Sequence, residues 1–182
     1  MRVSKMSWTR GFTLLETMIA MVVLGVGVLG LAALLGNSLA FMNSAQADFI
    51  AQQKAAEAVE AVFTARDTQA VTWAGIQNVS NGGIFLNGAQ PMLDPGTDGL
   101  VGTAADAAAT ASTLIMPGPD GILGTADDVV LKLSTAYSMT RTINITSIVN
   151  ESSVRQIQVT INYTSGRFKK SYTLTTFISQ YS

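Results

Sequence analysis

The chain has 182 residues, with 11 Lys and Arg against 12 Asp and Glu, a formal net charge of −1, and neither Cys nor His. The missing Cys excludes disulfides, thiolate nucleophiles and Cys-ligated metal sites, and the missing His removes the commonest general base and neutral metal ligand. The balanced charge gives no reason to expect nucleic-acid binding, which needs clustered cations, and the composition argues against an enzyme.

A long apolar segment follows three cations at the start of the chain. Arg2, Lys5 and Arg10 precede it, and no charged residue occurs over positions 17–47. The apolar run at 18–35 is long enough to cross a bilayer and too long for a cleaved secretory signal. By the positive-inside rule the amino terminus stays cytoplasmic and the rest of the chain is exported. We therefore predict one membrane span followed by a periplasmic or extracellular body.

A helical pattern continues beyond the apolar run. Apolar residues recur at spacings of three and four, so we predict one helix over 12–66, transmembrane at 12–36 and amphipathic at 37–66. Lys54 and Glu57 are spaced to form an ion pair on this helix. The face expected to cover the protein core consists of Phe41, Ala45, Phe49, Gln52, Ala56, Val59 and Phe63.

Two features of the apolar segment do not suit a plain anchor. Glu16 places a carboxylate in lipid, which costs on the order of a few kcal/mol unless it is paired, so Glu16 is a functional candidate. Gly25, Gly27 and Gly30 each cost about 1 kcal/mol relative to Ala within a helix. Either close helix packing in the membrane or local unwinding on leaving the lipid would explain these glycines.

The segment Gly11-Phe12-Thr13-Leu14-Leu15-Glu16, with its basic leader and the apolar helix after it, resembles the class III signal of type IV prepilins and secretion pseudopilins. The resemblance implies that a prepilin peptidase removes the leader at 1–11, cutting after Gly11, and methylates the amino group of Phe12. It also implies that Glu16 neutralises the amino-terminal charge of a neighbouring subunit. The implied partners are other pilins and the pilus assembly machinery, first in the inner membrane and then in a cell-surface pilus.

The sequence after Arg66 changes to Gly, Asn and Asp punctuation, and we predict an exported head over 67–182. Its carboxy-terminal third alternates apolar and polar residues, which predicts a three-strand antiparallel meander over 137–179. The second half of the helix is the obvious cover for the apolar side of that sheet. The predicted fold class is α+β, a long amino-terminal helix packed against an antiparallel sheet. Turn signals around Ile84-Phe85-Leu86 predict a further short strand or hairpin.

An imperfect duplication lies in an insert at 94–128. Residues 95–106 match residues 117–128, and two such copies predict a hairpin-like insert. The second copy resembles acidic Asp-Gly loops of bacterial surface proteins, some of which bind calcium. Its candidate Ca²⁺ ligands are Asp120, Asp127 and Asp128. The alternative is a solvated turn without an ion, because Pro-Asp-Gly is a good turn sequence by itself.

Within the prepilin class, the residues at 14–20 followed by Val28-Leu29-Gly30-Leu31 look most like the minor pilins called PilV, the type IV pilus modification proteins. That resemblance implies a minor subunit that acts in pilus initiation or at the pilus tip. One alternative is a minor pseudopilin of a type II secretion system, which would share the same helix. Another is an adhesive or calcium-binding head carried on a pilin stalk.

Overall fold

A computed structural model describes residues 13–181, and it confirms the predicted α+β class. The chain divides between Met42 and Asn43 into two compact units. We call the second of these, Asn43–Ser182, the folded unit. The α-helices and strands are α1 (Leu14–Asp67), β1 (Gln90–Pro91), β2 (Thr113–Met116), β3 (Val129–Lys132), α2 (Leu133–Ala136), β4 (Thr140–Ile148), β5 (Glu151–Ser165) and β6 (Phe168–Ser179). Three short 3-10 helices, Trp73–Gly75, Val79–Asn81 and Ala104–Ala108, lie between α1 and β2.

The amino-terminal unit consists of helix in its described part. α1 is long and apolar enough to cross a membrane, with a mean hydropathy of 2.7 over its most apolar 18 residues, none of them buried. Between Leu14 and Met42 the large apolar side chains are 56% to 79% exposed. The apolar surface of this helical stretch therefore has no counterpart among residues 13–181.

The main sheet of the folded unit has the order β1-β4-β5-β6, with all neighbours antiparallel. The predicted meander corresponds to β4, β5 and β6, and the two-residue strand β1 adds to the outer edge of β4. Alternate residues of β5 point into the core, because side chains on a strand alternate between its two faces. Ile157, Val159 and Ile161 are fully buried, and Tyr163 nearly so.

The helix face that covers this sheet differs from the predicted face. The buried positions are Ala47, Ile50, Ala51, Ala55, Ala58, Ala61, Val62 and Ala65. Of the predicted face, Val59 and Phe63 are partly buried, whereas Phe49 is 59% exposed and Phe41 77% exposed. Small side chains let a helix approach a sheet closely, so the Ala-rich stripe forms the buried face, whereas the bulkier stripe is partly buried at Val59 and Phe63 and exposed at Phe41 and Phe49.

The predicted strand or hairpin at residues 84–86 is also wrong. Phe85 makes only isolated bridges, to Asn78 and to Thr103, and its side chain is fully buried. The backbone around it follows irregular hydrogen bonds, such as that from the Leu86 amide to the Gly102 carbonyl. Phe85 therefore anchors a loop to the core without forming a strand.

Candidate functional site

Glu16 lies in the first turn of α1, and its side chain is exposed. The backbone amide of Glu16 donates a hydrogen bond to Oγ1 of Thr13 at 3.2 Å. Among residues 13–181, the Glu16 carboxylate has neither a hydrogen bond nor an ion pair. Gly11 and Phe12, the predicted processing residues, lie outside the described residues. The part of the predicted site that the structure describes is thus a carboxylate without a partner in the described chain.

Thr13 is a residue of this region that the sequence reasoning overlooked. It directly precedes α1, and its hydroxyl accepts the bond from the amide three residues later, which is the pattern of a helix N-cap. The signal was present as Thr13-x-x-Glu16, the sequence of a capping box. Thr13 therefore fixes where the helix begins and hence the position of Glu16 within its first turn.

The glycines of the apolar segment meet nothing in the chain. An added Cβ at Gly25, Gly27 or Gly30 would find no heavy atom within 4 Å outside its own helical neighbourhood. Packing within the described chain does not require these glycines. Their explanation must come from contacts outside the chain or from the backbone freedom that glycine gives a helix.

The first copy of the duplication, residues 95–106, is held against the core by a buried carboxylate. Asp106 Oδ1 accepts a bond from the Gly96 amide at 3.2 Å, and Oδ2 accepts one from the Gly102 amide at 2.6 Å. Arg141 Nη2 lies 3.7 Å from Oδ2 of the same carboxylate. Burial raises the pKa of Asp106 above its ordinary value, against the opposing effects of the Gly102 amide and Arg141.

The second copy, residues 117–128, repeats this backbone arrangement. Asp128 Oδ2 accepts a bond from the Gly124 amide at 2.7 Å, as Asp106 does from Gly102. Gly124 and Gly102 have φ angles of 89° and 83°, a left-handed conformation that favours glycine. The two copies therefore share this glycine turn and its carboxylate bond, although the bond from the Gly96 amide to Asp106 Oδ1 has no counterpart at Asp128 Oδ1. Only the second lies at the tip of a hairpin, between β2 and β3, so the prediction of a hairpin-like insert fails for the first copy.

The three candidate calcium ligands bind backbone and side-chain groups of their own loop. Asp120 Oδ1 accepts a bond from the Ile122 amide at 2.8 Å, and Asp127 accepts one from the Thr125 hydroxyl at 2.6 Å. The Thr125 bond is the main reason that the pKa of Asp127 lies below its ordinary value. Across residues 13–181 no group of three or more acidic side chains is placed to hold a metal ion. The assignment of Asp120, Asp127 and Asp128 as calcium ligands therefore stays a prediction, as does the alternative of a solvated turn.

A polar network joins α1 to the last two strands of the folded unit. Lys170 Nζ lies 3.0 Å from Asp48 and donates to Ser44 Oγ at 2.7 Å, and the Tyr163 hydroxyl donates to Asp48 at 2.8 Å. Burial and the Asp48 carboxylate raise the pKa of Tyr163 to about 12. The cation of Lys170 is therefore part of the helix–sheet contact and is not only a solvated group on a strand edge.

The comparison with known proteins bears on the amino-terminal region. A family model described as the prokaryotic N-terminal methylation motif matches residues 9–32, which include Gly11, Phe12 and Glu16. No curated protein and no solved structure matches the chain. The motif is a prepilin-type signal, and it indicates a protein of the type IV pilin and pseudopilin class.

The motif has coarse implications for the chain. A prepilin-type motif implies processing by a prepilin peptidase and use by a pilus or secretion machinery. The motif together with an exposed apolar helix supports anchoring in the inner membrane.

Proposed function

We propose that the chain is a minor type IV pilin subunit, which a prepilin peptidase processes between Gly11 and Phe12 and which then enters the pilus filament. The observation that carries this proposal is the methylation motif at residues 9–32, placed at the start of an exposed apolar helix. After cleavage the helix would begin with a methylated amine at Phe12. The carboxy-terminal body would be exported, and its role would be structural and not catalytic.

In this proposal, Glu16 determines how the helix aligns with the helices of neighbouring subunits. Its carboxylate has no partner among the described residues, although it lies in a segment suited to lipid. An ammonium and a carboxylate that both sit in a low-dielectric environment stabilise each other only when they are paired. The amine of Phe12 on an adjacent subunit would supply that pairing and set the stagger between helices.

Replacing Glu16 tests this role. Glu16→Gln keeps the shape of the side chain and removes its charge, so the neighbour's amine would remain unpaired in the filament interior. We expect normal insertion and cleavage but at least about a tenfold loss of the chain from sheared filaments, since breaking a buried ion pair costs several kcal/mol. Immunoblots of membranes and of filaments measure the two amounts.

The matched control for that experiment is Glu60→Gln, which removes an exposed carboxylate from the same helix within the folded unit. This variant is expected to enter filaments normally. Equal incorporation of the Glu16→Gln chain and the native chain would reduce the apolar helix to a membrane anchor and would contradict the assembly role.

The minor position, in initiation or at the tip as in PilV, rests on the sequence of the first third of the helix. Counting subunits in purified filaments tests it, because a tip subunit is scarce and a shaft subunit abundant. A chain found as the main subunit would contradict the minor role. Filament incorporation in cells that lack the pilus machinery but keep type II secretion would instead identify a minor pseudopilin.

A further inference from the structure

The two copies of the duplicated loop share the turn at Gly102 and Gly124 with its carboxylate bond, but their surroundings are opposite. In the first copy Leu100 and Val101 are 3% and 1% exposed. At the equivalent positions of the second copy, Ile122 and Leu123 are 60% and 61% exposed. The second copy therefore carries an apolar pair like the one that the first copy buries in the core. In the described chain, no surface covers that pair.

The docking surface of the first copy combines an arginine with an aromatic ring. Asp106 lies 3.7 Å from the buried guanidinium of Arg141. Beside it, a Cβ added at Gly102 would meet the side chains of Ile143 and Phe85. In the second copy Asp128 has no ion pair within residues 13–181, and its Oδ1 is shielded from solvent without a hydrogen-bond partner. A complementary surface for the second copy would offer a cation and an apolar ring together.

The second copy belongs to an element that we call the arm, residues 113–132, comprising β2, the loop and β3. β2 and β3 pair only with each other in the described structure, and they form a sheet separate from the main one. The cross-strand pair Ile115 and Val130 is 53% and 58% exposed. The arm has a net negative charge. It contains three acidic residues, Asp120, Asp127 and Asp128, and one cation, Lys132, at its base.

The chain itself presents a surface with the required chemistry at the connection from β5 to β6. Phe168 is 74% exposed between the exposed residues Arg167 and Lys169. Neither of these two cations has an ion pair among residues 13–181, and the only other exposed cation in the same situation is Lys132 of the arm. We call residues 167–169 the basic turn. It contains a guanidinium and a phenyl ring, the two kinds of group that Arg141 and Phe85 contribute beside the first copy.

The arm and the basic turn lie at the same end of the folded unit. Met116, the last residue of β2, contacts the side-chain amide of Gln46 at 3.8 Å. Lys170, adjacent to the basic turn, bonds to Ser44 and Asp48. Two copies whose α1 helices run parallel would therefore present the arm of one and the basic turn of the other at the same level.

We propose that the arm of one copy docks on the basic turn of a second copy, with Ile122 and Leu123 against Phe168 and the acidic loop beside Arg167 and Lys169. The contact is heterologous, since it joins different patches of two identical chains, and such contacts extend into helical arrays when they do not close. It requires only that two copies meet, in the membrane or in a filament. It therefore does not depend on the minor role proposed above.

Cysteine cross-linking of the full chain tests the contact, because the chain contains no Cys of its own. Two differently tagged copies are co-expressed in membranes, one with Ile122→Cys and the other with Phe168→Cys, and are exposed to a mild oxidant. We expect a disulfide-linked dimer that carries both tags. Arg167→Glu with Lys169→Glu on the second copy should lower its yield about threefold to tenfold, as expected for loss of two exposed ion pairs.

Val149→Cys supplies the matched control, because Val149 is an apolar residue that is 84% exposed in the turn between β4 and β5. The pair of Ile122→Cys with Val149→Cys should give little product. The proposal is overturned if the Val149 pair links as well as the Phe168 pair, if neither pair links, or if Ile122→Cys is captured by a different protein. Circular dichroism of each purified variant shows that it is folded, so a missing cross-link counts against the contact itself.

Discussion

Asn78 completes the hydrogen bonding of β4 where no neighbouring strand reaches it. β1 pairs only with Thr140 and Arg141, which leaves the next part of the outer edge of β4 open. There the Asn78 amide donates to the Ile143 carbonyl at 2.7 Å, and the Ile145 amide donates to Oδ1 of Asn78 at 2.7 Å. One buried side chain thus replaces two backbone bonds of a missing strand.

Replacing this side chain should destabilise the fold markedly. Asn78→Ala leaves a buried N–H and a buried C=O of β4 without partners, and each such group costs about 1–3 kcal/mol. We therefore expect the free energy of unfolding to fall by about 2–4 kcal/mol, measured by urea titration of the detergent-solubilised chain. Asn144→Ala, an exposed position between the same two residues of β4, should change it by less than about 0.5 kcal/mol. Equal effects of the two variants would contradict the role of Asn78.

Some of the important residues could be predicted from the sequence, and others could not. The motif that contains Glu16 was recognisable because it is a continuous stretch in a fixed order, and the matching family model covers the same stretch, whereas the role of Glu16 stays a prediction. Asn78 and the Asp106–Arg141 pair were not, because their partners lie 65 and 35 positions away along the chain. Nothing in the local sequence of Asn78 distinguishes a buried amide from an exposed one in a loop.

The helix face shows the corresponding limit at the level of elements. α1 carries two stripes at helical spacing within the folded unit, one rich in Ala and one that contains Phe49 and Phe63. The more hydrophobic stripe is the one with Phe, so the sequence predicted that stripe as the buried face. The stripe that packs on the sheet is the other one, because its small side chains allow close approach. Phe49 consequently remains 59% exposed, which leaves an aromatic surface on the outside of the helix.

Substitutions at two adjacent positions of α1 test which stripe contacts the sheet. Ala55 is fully buried and Ala56 is exposed. Leu at position 55 must displace the helix or the strands, and overpacking of this kind typically costs about 1–3 kcal/mol. We expect that loss of unfolding free energy for Ala55→Leu and a near-zero change for Ala56→Leu, both from urea titrations. A larger loss for Ala56→Leu than for Ala55→Leu would instead support the helix face that the sequence predicted.

Regular strands were the elements that the sequence predicted best. β5 and β6 alternate apolar and polar residues, and this period of two follows directly from strand geometry. The region between α1 and β4 has no such period. Its structure depends on isolated anchors such as Phe85 and on the docking of the first Asp-Gly copy, which are contacts between loops and a core that the sequence does not encode locally.

At the level of the whole molecule, the apolar helical segment at 14–42 and the folded unit differ in where their apolar surface is covered. The helical residues of 14–42 whose exposure is described are all exposed, so their apolar surface suits lipid or other helices. The core of the folded unit draws on α1 only from Ala47 onward. The chain accordingly divides between Met42 and Asn43 even though α1 continues through that point.

This division predicts that residues 43–182 fold without the segment before them. A fragment beginning at Asn43 keeps every residue of the core and loses only exposed helix, so its stability should match that of the folded unit in the full chain. We expect midpoints of thermal unfolding that agree within about 4 °C between the fragment in buffer and the detergent-solubilised chain, because 1 kcal/mol shifts the midpoint of a domain this size by about that much. Circular dichroism at a wavelength dominated by the sheet gives both midpoints.

A fragment that is unfolded, or that melts far lower, would contradict this prediction. It would mean that the segment before Asn43 contributes to the stability of the folded unit. Agreement would make residues 43–182 an independent domain, whose stability owes nothing to the apolar part of α1 before it.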